Sequence, residues 1–263
     1  MRIKCPVCSE ELIRNSHVYQ CARHHSFDIS KEGYCNLLRK QARKEYGDSV
    51  LQVKARRAFF SHDYYARLKK ETAGLIRSLH KDTLIDSGCG EGYYTGYFQK
   101  ELPEMEVIGC DISKKAVSLA ARNSNGSYFV ASNQELPFFD QSVDIVLNMF
   151  APISEEEYLR ILKDDGVLIT VQVGVNHLLQ LKEALYDTVY LNELNDLSEK
   201  FTLAERHSVS FDIDLKNNEE ICDLFMMTPY YYHSSRKARD NLQKLSSLTT
   251  LCEFEIRLYH KSI

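Results

Sequence analysis

The sequence predicts an α/β domain built on a mostly parallel sheet with an antiparallel edge strand, preceded by a small unit that needs a staple other than its own core. Three observations carry that expectation. From Thr83 onward, short runs rich in β-branched and apolar residues alternate with helical patterns, the arrangement of a parallel sheet covered on both faces. The first of these runs leads into a glycine-rich segment, LIDSGCGEGYYT, at residues 84–95. Well ahead of it, cysteine and histidine recur at metal-ligand spacing within the first 25 residues.

Taken in order, residues 5–38 are too few to support a hydrophobic core. Cys5, Cys8, Cys21 and His25 follow the spacing C-x2-C-x12-C-x3-H, and thiolates with one imidazole are the donors that tetrahedral zinc prefers. Four protein ligands leave no position for water, so the expected zinc is structural. The Cys-Pro-Val-Cys turn presents the first pair, and a hairpin through Val18, Tyr19 and Gln20 returns the second. His24 competes with His25 for the fourth place. Cys35, Cys89, Cys110, Cys222 and Cys252 lack ligand-rich neighbours and read as small buried hydrophobes. Polar residues 39–49 read as a linker, and a helical pattern follows over 50–79. Strands are expected near 83–86, 106–110, 127–131, 143–148 and 167–173, with helices near 93–101, 113–122, 154–162 and 176–190. The last third supplies a strand near 203–211, a helix near 218–225 and a final alternating strand near 250–259, which closes the sheet with an antiparallel edge.

A chain of 263 residues with 44% hydrophobic content can bury a substantial core. No apolar run approaches the ~20 residues that span a bilayer, and the opening MRIKCPVCSE has no secretory apolar stretch, so a cytoplasmic location is expected. The net charge of -4 conceals an asymmetry: residues 1–70 hold 15 Lys+Arg against 7 Asp+Glu, leaving 18 against 30 for the rest. A basic front on an acidic body is the footprint of a protein that meets phosphate backbones. A solvated basic face is the plainer alternative.

The glycine loop defines the ligand more narrowly. A dinucleotide fingerprint, G-x-G-x-x-G counted from Gly88, would need glycine at position 93, which is Tyr93. The observed D-x-G-x-G-x-G is the form of Rossmann-like S-adenosylmethionine (SAM) methyltransferases. Ligands in open α/β sheets lie beyond the carboxyl ends of the strands, so the loops can be read in turn. Asp86 braces the loop of Gly88, Gly90, Glu91 and Gly92. Asp111, ending the next strand, is placed for the ribose hydroxyls, and Asn133 for an adenine edge. Asn148 to Pro152 occupies the methyl-acceptor position, and Gly174 leads to His177. A guanine N1 acceptor carries a proton, for which Asp48 and His177 are candidate bases; Asn148 is a further catalytic candidate.

The cysteine–histidine unit, FDISKEGYCNLL, GDS…ARRAFF, LIDSGCGEGYYT, NMFAPI and MTPYYY together resemble the 23S ribosomal RNA guanine-N1 methyltransferases of the RlmA type, a family that includes macrolide-resistance relatives. The resemblance runs from the first cysteine into the C-terminal third. It implies methylation of guanine N1 in a hairpin loop of large-subunit rRNA, with the zinc unit helping to recognise RNA. It also implies that Cys5, Cys8, Cys21 and His25 hold zinc, while Tyr65, Gly90–Glu91–Gly92 and His177 lie against SAM. Family members often have an apolar residue where this chain has Ser87, and position 148 is arginine in some relatives and asparagine here. The implied division is a zinc-binding RNA-recognition domain at 1–38, a linker and helical segment at 39–70, and a SAM-dependent methyltransferase domain at 71–263. Monomer and homodimer are both compatible with it. Two rival readings are a small-molecule SAM methyltransferase braced by zinc and a non-catalytic zinc-containing RNA-binding protein.

Overall fold

The central strands are mainly apolar and buried along nearly their whole length, as strands covered on both faces are, and this sets the architecture. The computed structural model describes residues 1–39 and 50–262. Strands β1 (Ile3–Lys4), β2 (Glu11–Asn15), β3 (Val18–Cys21) and β4 (Ser26–Asp28) form a small antiparallel sheet in chain order. Strand β5 (Tyr34–Asn36) leaves that unit and joins the main sheet. Helices α1 (Val50–Ser61) and α2 (Ala66–Ser78) follow. Next come β6 (Thr83–Ser87), α3 (Tyr93–Glu101), β7 (Glu106–Asp111), α4 (Lys114–Asn123), β8 (Ser127–Val130), β9 (Val143–Met149), α5 (Glu155–Ile161) and β10 (Leu162–Val173). The chain ends with α6 (Leu179–Leu185), β11 (Phe201–Leu215), α7 (Asn218–Met226), α8 (Tyr230–His233), α9 (Arg236–Leu242) and β12 (Leu248–Lys261). The main sheet has the order β11-β12-β10-β9-β6-β7-β8-β5. Its strands are parallel from β10 to β5, while β12 runs antiparallel to both β10 and β11.

Three local departures from the sequence reading have physical causes. The helical pattern over 50–79 is two helices, because Asp63 takes a left-handed φ of 55° and turns the chain. That turn carries Tyr65 into the core beside Phe59. The helix expected over 176–190 is confined to Leu179–Leu185. Beyond it Asn192 is tied to Gly174 and Val175 through its side-chain and backbone amides, which holds the chain extended. Helices α8 and α9 have no counterpart in the sequence reading; Ser235 caps α9 by accepting from the Ala238 amide at 3.2 Å.

The front unit is welded to the body rather than hinged from it. Tyr34–Asn36 pair in parallel register with Tyr128–Val130, and the Lys4 amide donates to the Pro137 carbonyl at 2.8 Å. Ile3, Cys5, Leu12 and Cys21 belong to the same apolar cluster as Ile85, Ile108, Phe129, Phe138 and Tyr158. Cys35, Cys89, Cys110 and Cys252 are buried and Cys222 is half-buried, as expected of non-ligand cysteines. No helix among the described residues is long and apolar enough to cross a membrane.

Candidate cofactor pocket and metal centre

The β2–β3 hairpin sets the metal-ligand geometry. Leu12 pairs with Cys21, which brings Cys21 back toward the Cys5–Cys8 turn. The ligand atoms of Cys5, Cys8, Cys21 and His25 all lie within 4.8 Å of one another. His25 Nδ1 is 3.3 Å from Cys8 Sγ, 3.4 Å from Cys21 Sγ and 3.7 Å from Cys5 Sγ, and Cys8 and Cys21 Sγ are 3.6 Å apart. A tetrahedron with metal–sulfur bonds of about 2.3 Å and a metal–nitrogen bond of about 2.1 Å has edges of roughly 3.6–3.8 Å, so the donor set fits zinc. The choice between the two histidines is made by the backbone. His24 adopts φ 63° and its amide closes a turn onto Cys21, leaving His25 in the ligand set.

The glycine loop joins β6 to α3. Asp86, buried at the end of β6, accepts from Thr95 Oγ1 at 2.5 Å. Burial pushes its carboxyl up to about 7, the Thr95 hydrogen bond opposes this, and the charge of Asp111 adds to it. Asp111 holds the other side: its Oδ2 accepts from the Gly90 amide at 2.9 Å and its Oδ1 from the Ser113 amide at 2.7 Å. Arg56 of α1 reaches over the loop to within 3.7 Å of Glu91.

Two glycines in this loop serve different purposes. Gly92, at φ 79°, begins α3 so close to α4 that an added Cβ would lie 2.7 Å from Ala120 Cβ and 3.1 Å from its Cα. Gly90, at φ 53°, has nothing of the protein within 4 Å of the same added atom, so its bare face opens onto the space a ligand would fill. Gly92→Ala is therefore expected to cost about 2–4 kcal/mol of stability from strain and overlap. Gly90→Ala should cost about 1 kcal/mol from its φ alone and weaken SAM binding instead. Denaturant unfolding and calorimetric titration of both variants check this, and equal stability losses would contradict the assignment.

Elements far apart in sequence meet at the carboxyl edge of the sheet. Tyr65 Oη and His177 Nε2 are 3.5 Å apart, and Phe254 of β12 lies against both, with ring centroids at 4.9 and 4.7 Å. Phe60 stacks on Tyr93 at 4.0 Å, and Tyr94 continues the wall. Arg56, Tyr94 and Phe254 were absent from the sequence-based site. Arg56 and Tyr94 lie within the ARRAFF and LIDSGCGEGYYT segments, and Phe254 on the apolar face of the last strand, but none of these signals assigns them to the pocket. His177 Nδ1 accepts from the Glu253 amide at 3.2 Å, so in the neutral ring the proton sits on Nε2, toward Tyr65.

Burial pulls His177 down to about 3. An unfolded histidine titrates near 6.5, so between those values the unfolded chain binds the extra proton. The contribution is thus complete above about 6.5 and is lost as pH falls. Relative to His177→Gln, the parent is expected to lose about 1.4 kcal/mol per pH unit as pH falls from about 6 to about 4. Asp86 has the opposite sign, holding a proton that the unfolded carboxylate has shed, so its contribution falls as pH rises toward about 7. The comparison with the variant isolates the histidine; a difference that stays constant with pH would exclude a buried neutral ring.

Asn148 is the penultimate residue of β9 and is buried. Its Nδ2 donates to Tyr158 Oη at 2.8 Å and to the Pro152 carbonyl at 3.3 Å, and Tyr158 donates to Ser87 Oγ at 3.0 Å. Asn133 also donates to the Pro152 carbonyl. Both asparagines therefore hold the loop after β9 in place. Asp48 lies outside the described residues.

A mostly parallel sheet with an aspartate-braced glycine loop and a second acidic residue on the next strand defines a SAM-dependent methyltransferase of the Rossmann-like class, here carrying a zinc ribbon. Residues 84–166 match the family described as "Methyltransferase domain", and residues 3–45 match "RlmA, N-terminal". The chain belongs to the 23S rRNA (guanine-N1)-methyltransferase family. It is 34% identical to the 23S rRNA (guanine(748)-N(1))-methyltransferase of Streptomyces fradiae, over 70% of this chain and 67% of that one. It is 28% identical to the Bacillus subtilis protein named "Putative 23S rRNA (guanine-N(1)-)-methyltransferase YxjB", over 96% of this chain and 95% of that one.

Proposed function

We propose that this protein transfers a methyl group from SAM to N1 of a guanine in a hairpin loop of 23S rRNA, in the cytoplasm. The observation that carries the proposal is the physical continuity of a cofactor cradle with the zinc unit that opens the basic first 70 residues. Strand β5 of the front unit is also an edge strand of the methyltransferase sheet, so RNA held by one is fixed relative to the other. Arg14, Arg23, Lys31 and Arg39 are exposed on that front. Its ion pairs Arg23–Glu10 and Arg39–Glu135 are solvent-exposed, of a kind worth at most about 1 kcal/mol, and phosphates can displace them.

We assign Cys5, Cys8, Cys21 and His25 to a structural zinc, and Asp111 to the ribose hydroxyls. Gly90 gives the cofactor close approach to bare backbone, while Asp86 and Gly92 shape the loop. Bound SAM supplies an electrophilic methyl group on a sulfonium whose positive charge disappears during transfer. The ring faces of Tyr65, Tyr94 and Phe254 line the same edge of the sheet, and electron-rich faces favour such a cation. His177 positions Tyr65 by donating from Nε2 and is not the base, because its remaining lone pair already accepts the Glu253 amide. Asn148 has no basicity to offer and positions the acceptor loop.

The test is nucleotide-resolution mapping of methylated guanines in 23S rRNA from cells with and without the protein, together with methyl incorporation by the purified chain into that rRNA. One guanine should lose its N1 methyl group when the protein is absent. An unchanged map, with no incorporation in vitro, would leave the small-molecule reading.

A further inference from the structure

We propose that Phe150 is the platform on which the acceptor guanine stacks, an inference that rests on the rRNA reading above. The residue follows β9 directly, at the carboxyl edge of the sheet. Its loop touches the glycine loop: an added Cβ at Gly88 would lie 2.3 Å from Ala151 Cβ. Phe150 is thus within one residue of the cofactor cradle.

Its backbone is held where an aromatic residue does not go by preference. Phe150 has φ 59°, in the left-handed region that favours glycine. Clamps on both sides impose this. The Phe150 amide donates to the Val171 carbonyl at 3.2 Å, and two residues later the Pro152 carbonyl accepts from both Asn148 and Asn133. Strain of this kind persists only where its surroundings over-determine it, and it gathers at functional sites.

The conformation presents the ring instead of burying it. Phe150 is 45% exposed, whereas Phe59, Phe98, Phe129, Phe138 and Phe254 are each at most 1% exposed. The ring is nevertheless supported, with Phe254 at 5.7 Å and Tyr94 at 6.3 Å between centroids. A supported, outward-turned aromatic face beside a methyl donor suits a flat heterocycle. Every base has such a face, so stacking supplies affinity and alignment while hydrogen bonds elsewhere choose the guanine.

The test compares Phe150→Leu, Phe150→Tyr, Phe150→Trp and Phe150→Gly in methyl transfer to 23S rRNA, with SAM affinity by calorimetry and Tm measured on each. Phe150→Leu keeps the apolar volume but loses the flat face, and should lower kcat/KM for rRNA by roughly 10–100-fold, the range of base–aromatic stacking. Its SAM Kd should stay within about twofold, since uniform loss of donor binding is a different defect. Tyr and Trp should restore most of the activity. Phe150→Gly should lose activity at an unchanged or higher Tm, because glycine relieves the strain that a merely structural phenylalanine would not carry. The proposal is overturned if Leu matches the parent, if Tyr and Trp do no better than Leu, or if SAM affinity falls in step with kcat/KM. A parent chain that leaves rRNA unmethylated refutes the rRNA reading itself, and the guanine platform with it.

Discussion

Replacing Asp111 by alanine is expected to weaken SAM binding about 100–1000-fold and to abolish methyl incorporation into rRNA. The carboxylate works on two sides. It accepts the Gly90 and Ser113 amides at 2.9 and 2.7 Å, which fixes the loop against β7. Among the described residues, it is also the carboxylate that the end of β7 offers to a pair of ribose hydroxyls. Hydrogen bonds to a charged group are each worth about 1.5–3 kcal/mol, so losing two to the ligand at the lower end of that range amounts to about 3–4 kcal/mol. Asp111→Asn keeps one acceptor per side chain and should fall between parent and alanine. Calorimetric titration with SAM decides the matter, and a Kd for the alanine variant within threefold of the parent would remove Asp111 from the site.

Cys5→Ser combined with Cys8→Ser should release the zinc, lower Tm and reduce rRNA methylation by more than about 100-fold, with SAM affinity falling less than about tenfold. Four short strands with Ile3 and Leu12 as their buried aliphatic residues cannot hold themselves together. In comparable small units bound zinc supplies about 10–16 kcal/mol of apparent folding free energy. The damage reaches the body through the apolar cluster shared with Ile85, Ile108, Phe129 and Phe138, the Lys4–Pro137 hydrogen bond and the β5–β8 pairing. Those contacts touch one face of β6 and β7 through Ile85 and Ile108, but the β6–β7 pairing and the Asp111 hydrogen bond to the glycine loop are made by residues outside the front unit. Metal analysis, thermal unfolding and calorimetry on the same preparation check each part. Equal losses of SAM affinity and RNA methylation would show that the two units do not divide the labour.

Much of this molecule was legible because its signals are local. The strand–helix alternation placed β6 to β9 to within a residue or two, since a strand covered on both faces is mainly apolar. The glycine loop was legible because a tight strand-to-helix turn and an open approach leave few residue types available. The metal ligands were legible as a spacing, but not which histidine completes them. Short polar segments were read less well. Nothing in SHDYYARL marks Asp63 as the break between α1 and α2, and the strand at Tyr34–Asn36 has too few residues to show a period.

What the sequence by itself determined is therefore the class: a SAM-type loop on a mostly parallel sheet, with a zinc-spaced unit opening a basic front segment. Tertiary structure decided the rest of the site. Tyr65 and His177 meet across 112 residues of chain, with Phe254 against both, because a turn at Asp63 and the antiparallel strand β12 deliver them to one rim. It chose His25 over His24 through a backbone angle and buried His177 with its Nδ1 accepting the Glu253 amide. It also turned Phe150 outward, through clamps from Val171, Asn133 and Asn148. The reason is general: spacing along a chain records what neighbouring residues must do, whereas convergence, burial and strain arise only once distant segments compete for the same space.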